Sequence, residues 1–137
     1  LDDEELADIL VRLQSRLFDL GADLCTPFKA PAAKKEVRIQ PRHVTELEGM
    51  IDTVSGKLEP LKSFVLPGGT ELSARLHHAR TVSRRAERLV VALSKAEQVG
   101  DGTVPYINRV SDLLFAMARR ANQIAGVDDI PWLPEEQ

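Results

Sequence analysis

The sequence predicts an all-α protein, an antiparallel bundle of amphipathic helices, and three observations carry that expectation. Four segments of roughly 20 residues repeat their apolar side chains at three- and four-residue steps, the period of one helix face. Aromatic residues form only 4% of a chain that is 43% hydrophobic, while Ala and Leu are abundant, which favours helix over a β-sandwich. The 137 residues suit one domain with a single core. Rods about 30 Å long can bury their stripes in such a domain only against one another.

The first helix is expected over 3–25, where Leu6, Ile9, Leu10, Leu13, Leu17, Leu20 and Leu24 recur and Pro27 marks the stop. The stretch PFKAPAAKKEVRIQP, 27–41, is too long for a tight helical hairpin and reads as a connection. A second helix is expected over 42–60, with Val44, Leu47, Ile51, Val54 and Leu58 on its stripe, Pro41 in its first turn and Pro60 closing it. Pro67, Gly68 and Gly69 then make a turn, and Thr70 is placed to cap a third helix over 71–98. Its apolar stripe is Leu72, Leu76, Ala79, Val82, Ala86, Leu89 with Val90, and Leu93, and GDG at 100–102 breaks it. The fourth helix, 104–125, carries Ile107, Val110, Leu114, Met117, Ala121 and Ile124 in a heptad, with Gly126 as its stop. The tail IPWLPEEQ holds two prolines and is expected to be extended. Residues 1–137 form one domain in this reading.

The bulk numbers exclude several classes. A net charge of -3 argues against general nucleic-acid binding. No run of 18 apolar residues offers a membrane span, and no signal peptide is visible. The single Cys25 forms no internal disulfide, fits a reducing compartment and is expected to be a small buried hydrophobe. A cytoplasmic location follows as the expectation.

Within this acidic chain, residues 75–91 hold five arginines and two histidines against one acid, Glu87. On a helical wheel His77, Arg84 and Arg88 fall within about 20° of one line, with Arg80 about 60° to the side, opposite the Leu72/Ala79/Ala86/Leu93 stripe. A solvated face would mix signs at four-residue spacing. This one is nearly single-sign and uses Arg, whose fork suits phosphate oxygens. It is expected to hold a polyanion or an acidic partner surface. On the fourth helix Asn108, Asp112, Phe115, Arg119 and Asn122 cluster away from the heptad. A Phe there calls for a cover, either another subunit, the tail or a planar hydrophobic ligand.

Familiar catalytic patterns are missing. Gln40, Ala74 and Arg75 precede the three histidines by three residues, so no Glu-x-x-His di-iron site can form, and there is no HExxH or cysteine cluster for zinc. PGGT lacks the rest of a Walker loop and reads as turn chemistry.

SFVLPGGTELSARLHHARTVSRRAERLVV, followed by INRVSDLLFAMAR, resembles the PduO-type ATP:cob(I)alamin adenosyltransferases, and LEGMID and LGADLCTP fit the same pattern. The resemblance runs over essentially the whole chain. It implies a trimer of helical bundles with active sites between subunits. The implied reaction transfers the 5′-deoxyadenosyl group of ATP to the cobalt of reduced cobalamin and releases triphosphate, with Mg²⁺ accompanying the nucleotide. By this resemblance Arg84, Glu87, Arg88 and Asn108 contact ATP, and Arg80 pairs with an acid of the adjacent subunit. Phe64 crowds out the lower axial ligand of cobalt, giving four-coordinate Co(II), which is easier to reduce; Phe115 faces the corrin. Phe64 and Arg84 are thus the implied catalytic pair, and no residue is assigned as a metal ligand. Hand-off of the product to a cobalamin-dependent enzyme is a further implication. The family's Gly/Thr/Lys-rich segment around the phosphates is not among these residues, nor is the first helix carrying the acid for Arg80, and a fifth helix is expected upstream. Arg75 stands where the family has a small residue. Two other functions remain open to the sequence: a non-catalytic helical module binding a corrinoid or acidic partner through the arginine ridge, and a nucleotide-binding regulator.

Overall fold

The computed structural model describes residues 2–28 and 36–135. Part of the expected connection, 29–35, lies outside the described residues. Among the described residues four helices are present: α1 (Asp2–Leu24), α2 (Pro41–Ser55), α3 (Glu71–Ala96) and α4 (Thr103–Ile124). Their starts follow local chemistry. Pro41 occupies the first turn of α2, where a missing N–H leaves nothing unpaired. The Gln40 N–H donates to His43 Nδ1 at 2.9 Å, closing a capping box. Thr70 caps α3 by accepting from the Ser73 N–H at 3.2 Å. Gly126, at φ +69°, follows the end of α4 in the left-handed region.

The expected second helix runs on to 60, but α2 stops at Ser55. Gly56 is a poor helix former, and the Lys57 and Leu58 N–H groups bond back only three residues, to Val54 and Ser55 carbonyls. The chain tightens there and leaves the helix ahead of Pro60.

The four helices are not equivalent. α4 lies at the centre and packs against α3, α2 and α1. It is buried on nearly all sides, with Leu113, Met117 and Ala118 wholly covered. Leu6, Ile9, Leu13 and Leu20 of α1 and Leu47 and Val54 of α2 complete one core with it. Lys57 Nζ meets Glu5 at 2.6 Å and Arg16 meets Glu46 at 3.5 Å, so α1 and α2 run antiparallel. At the far end of α1, the buried Asp23 carboxylate accepts the Arg38 guanidinium at 2.9 Å and the Ile39 N–H at 2.7 Å. Gly102 lies against this junction, where a Cβ would stand 2.6 Å from the Ile39 carbonyl oxygen. That close approach accounts for the second glycine of GDG. Cys25, next to this clamp, is exposed and not buried as expected, because it follows the last turn of α1 on its outward side.

The largest departure is the rotation of α3. Its expected stripe faces outward in part: Leu72 is 39% exposed, Val82 44% and Leu89 67%. The buried face is instead Ser73, Leu76, His77, Ser83 and Val90. Small serines permit close approach to α4, and both hydroxyls are satisfied, Ser73 on the Gly68 carbonyl at 3.2 Å and Ser83 on that of Arg80 at 2.8 Å. Polar bonds to α4, made by Thr70 and Glu87, set the rotation in place of the apolar stripe. His77, expected on the solvent ridge, is therefore buried.

Candidate functional site

The rotation places the arginine ridge along the rim of the α3–α4 seam. Arg80 and Glu87 are half-buried there, and Arg84 and Arg88 are exposed beside them. Arg84, Glu87, Arg88 and Val91 line a cleft of about 250 Å³. Glu87 is the organising acid: one oxygen lies 3.8 Å from Arg84 Nη1 and the other accepts from Asn108 Nδ2 at 2.8 Å. The Asn108 Oδ1 in turn accepts from the Arg109 guanidinium, and Arg109 pairs with Asp112 at 3.2 Å.

Asp112 lines a second cleft, of about 310 Å³, with Leu61, Ser63, Phe64, Val65, Arg80 and Phe115. A chain of polar contacts, Arg84–Glu87–Asn108–Arg109–Asp112, thus joins a cationic cleft to one walled by two aromatic rings. Phe64 is 78% exposed, and its ring meets that of Trp132 at 6.0 Å. Phe115 is held by two side chains from one face of α3. The Arg80 guanidinium lies 5.4 Å from its ring centre, and the His77 ring meets it edge-on at 5.9 Å. Burial holds His77 below its ordinary value, and the nearby Arg80 lowers it further against the opposing pull of Asp129. His77 is therefore a neutral wedge under Phe115 at neutral pH, and its buried Nε2 has no hydrogen-bond partner among the described residues.

Among the described residues Arg80, Arg85 and Arg88 form no salt bridge. Arg88, left without an acid, and Arg84, whose acid is 3.8 Å away, line the same cleft and can close on an anion with little to displace. Arg75 does not belong to this set: it turns outward and pairs with Glu71 at 2.8 Å. Among the described residues no group of three or more His, Cys, Asp or Glu side chains is placed to hold a metal ion.

The seven site residues that the resemblance implied, Phe64, Arg80, Arg84, Glu87, Arg88, Asn108 and Phe115, each line one of these two clefts or bond to a residue that does. Sequence reasoning missed the support behind them. Arg119 and Asn122, noticed only as a polar face, tie the loop carrying Phe64 to α4. Asn122 is 1% exposed; it accepts from Thr70 N–H and Oγ1, both at 2.9 Å, and donates to the Gly68 carbonyl at 2.9 Å. Asp129 and Trp132 carried no signal, since the tail has no periodicity.

The family model described as cobalamin adenosyltransferase matches residues 1–121. The chain is 46% identical over 134 residues to the corrinoid adenosyltransferase of Mycobacterium tuberculosis, covering 96% of this chain and 68% of that protein. It is 40% identical over 129 residues to the corrinoid adenosyltransferase of Bacillus subtilis, covering 94% of this chain and 65% of that one. A variant PduO-type ATP:corrinoid adenosyltransferase from Lactobacillus reuteri, solved with cobalamin and ATP, superposes with a TM-score of 0.87 at 36% identity. That superposition covers 98% of this chain and 72% of the other.

Proposed function

The chain belongs to the cobalamin adenosyltransferase family, and we infer that it transfers the 5′-deoxyadenosyl group of ATP to the cobalt of reduced cobalamin, forming adenosylcobalamin and triphosphate. The observation that carries the assignment of roles within the chain is the adjacency of the two clefts, one lined by arginines and the other by Phe64 and Phe115, joined through Glu87 and Asn108.

The step balances simply. The electron pair of Co(I) attacks C5′ of ATP, the cobalt–carbon bond forms, and the C5′–oxygen bond breaks with its electrons leaving on triphosphate. The chemical difficulty rests with the cobalt, and the protein supplies position and field. Arg84 and Arg88 stabilise charge growing on the triphosphate, and the pair to be loosened, Arg84–Glu87 at 3.8 Å, is a long one. Glu87 orients Arg84 and Asn108 together, so the nucleotide meets donors already aimed. Phe64 and Phe115 present an apolar wall that excludes water from the corrin and offers cobalt no lower ligand. Mg²⁺ fits as an ion carried on the phosphate oxygens of the nucleotide, which needs one or two protein carboxylates at most.

Residues 1–137 act in this reading as one helical-bundle domain. A homotrimer is proposed on the chemistry of Arg80, whose cation lies on Phe115 with no acid paired to it among the described residues, leaving it available to one from a neighbouring copy. We place the enzyme in the cytoplasm, with its product passed to a cobalamin-dependent enzyme. Among the described residues no helix is long and apolar enough to cross a membrane.

The test is anaerobic adenosylation by the whole chain with reduced cobalamin and Mg-ATP, followed by the visible spectrum before and after light. Wild type forms a photolabile product, and Arg84→Ala slows its formation by about 10²–10³-fold, the scale of one lost transition-state donor. Equal rates in the two proteins would remove Arg84 from the phosphate site.

A further inference from the structure

Phe64 sits in the irregular segment between α2 and α3, mostly exposed, and no helix of its own fixes its direction. The tail after α4 does. The Trp132 N–H donates to the Phe64 carbonyl at 2.7 Å, and the Leu66 N–H donates to the Ile130 carbonyl at 2.7 Å. Val65 and Pro131 stand opposite each other as an antiparallel bridge between these bonds. The tail is itself pinned to α4. Arg119 Nε donates to one oxygen of Asp129 at 2.9 Å, and Asn122 Nδ2 donates to the other at 3.1 Å. The same two α4 side chains also hold both ends of the Phe64 segment, Arg119 at the Glu59 carbonyl and Asn122 at the Gly68 carbonyl. Main-chain bonds therefore fix where Phe64 is, but they leave its side chain free to rotate. The ring contact with Trp132, tilted at 54°, is what limits that rotation, and it is the one aromatic pair made by Phe64 among the described residues.

We propose that Trp132 is a positioning residue for adenosylation: its indole buttresses the Phe64 ring toward the cleft shared with Phe115 and Arg80, and the tail thereby sets how Phe64 meets the lower face of cobalamin. The proposal rests on the reading of Phe64 as the aromatic that excludes cobalt's lower ligand. Trp132 is half-exposed and outside the core, so its removal leaves the bundle standing. What is lost is the bias on one rotamer, and a tilted aromatic pair of this kind corresponds to a change of about two- to tenfold in population.

The experiment compares whole-chain wild type, Trp132→Ala, Trp132→Phe and Phe64→Ala in two assays. One starts from chemically pre-reduced Co(I) cobalamin. The other starts from Co(II) cobalamin with a reduced flavin as one-electron donor. Electron paramagnetic resonance of the Co(II) mixture with Mg-ATP reports the fraction of cobalt without a lower ligand. Trp132→Ala is expected to lower the Co(II) rate and the ligand-free fraction by about two- to tenfold, with the Co(I) rate and the KM for ATP within about twofold of wild type on the same scale. Trp132→Phe is expected to restore most of both. Equal losses from Co(I) and Co(II) in Trp132→Ala, or an unchanged ligand-free fraction while Phe64→Ala loses it, would overturn the positioning role. If Phe64→Ala itself leaves that fraction intact, the Phe64 reading fails first and takes the proposal with it.

Discussion

Asn122→Ala removes a side chain that nothing in the sequence marks as central. The Asn122 amide makes four hydrogen bonds, two accepted from Thr70 and one donated to each of Gly68 and Asp129. Asp129 keeps Arg119 when Asn122 is lost, and Thr70 Oγ1 can turn to water. The uncompensated partners are the Thr70 N–H and the Gly68 carbonyl, each worth about 1–2 kcal/mol when left without a partner. With the small cavity added, the expected loss is about 2–4 kcal/mol against a total stability of about 5–15 kcal/mol. For a domain of this size that lowers Tm by about 10 °C. Thermal and urea unfolding followed by circular dichroism would measure it. A second variant sharpens the test. Gly69 has φ +111°, and a Cβ there would stand 2.5 Å from both amide atoms of Asn122. Gly69→Ala therefore suffers backbone strain and a clash in the wild-type background, and strain alone in Asn122→Ala. The double-mutant cycle should show a coupling of about 1–2 kcal/mol. A loss below about 0.5 kcal/mol for Asn122→Ala, with additive double-mutant energies, would refute the idea that this amide locks the loop to α4.

Two buried histidines give the fold an acid limit. Burial holds both His43 and His77 below the ordinary 6.5, so the unfolded chain binds protons that the folded chain refuses. Stability is then whole above about pH 6.5 and declines as pH falls from there toward the lowered folded values, and His77→Phe should flatten part of that decline in urea titrations run at several pH values. A profile for His77→Phe that follows wild type would show that His77 takes no part. Asn108→Ala should raise the ATP concentration needed for half-maximal adenosylation by about tenfold, the scale of one lost charge-linked hydrogen bond, because it strips Glu87 of its partner. An unaltered ATP titration would remove Asn108 from the nucleotide site.

The sequence by itself determined the helices and the chemical character of the site. Periodicity located all four helices because 3.6-residue repetition is written locally, and Pro41, Thr70 and Gly126 mark helix boundaries through backbone restrictions that need no tertiary partner. The run of arginines named a place for an anion, and the stretches SFVLPGGTELSARLHHARTVSRRAERLVV and INRVSDLLFAMAR carried the resemblance to the family. The rotation of α3 was not legible. Leu72, Val82 and Leu89 suggested one inward face, yet Ser73, His77 and Ser83 took it. Hydrophobic spacing ranks faces by transfer energy alone, whereas hydrogen bonds from Thr70 to Asn122 and from Asn108 to Glu87 join residues 52 and 21 positions apart. Such bonds exist only once α3 and α4 lie side by side. The same holds for the Phe64 segment and the tail, which have no periodicity to read and acquire their direction from Arg119, Asn122 and Asp129. Tertiary structure decided which arginines border the aromatic cleft, because the position of a rim is a property of two packed helices and not of either one.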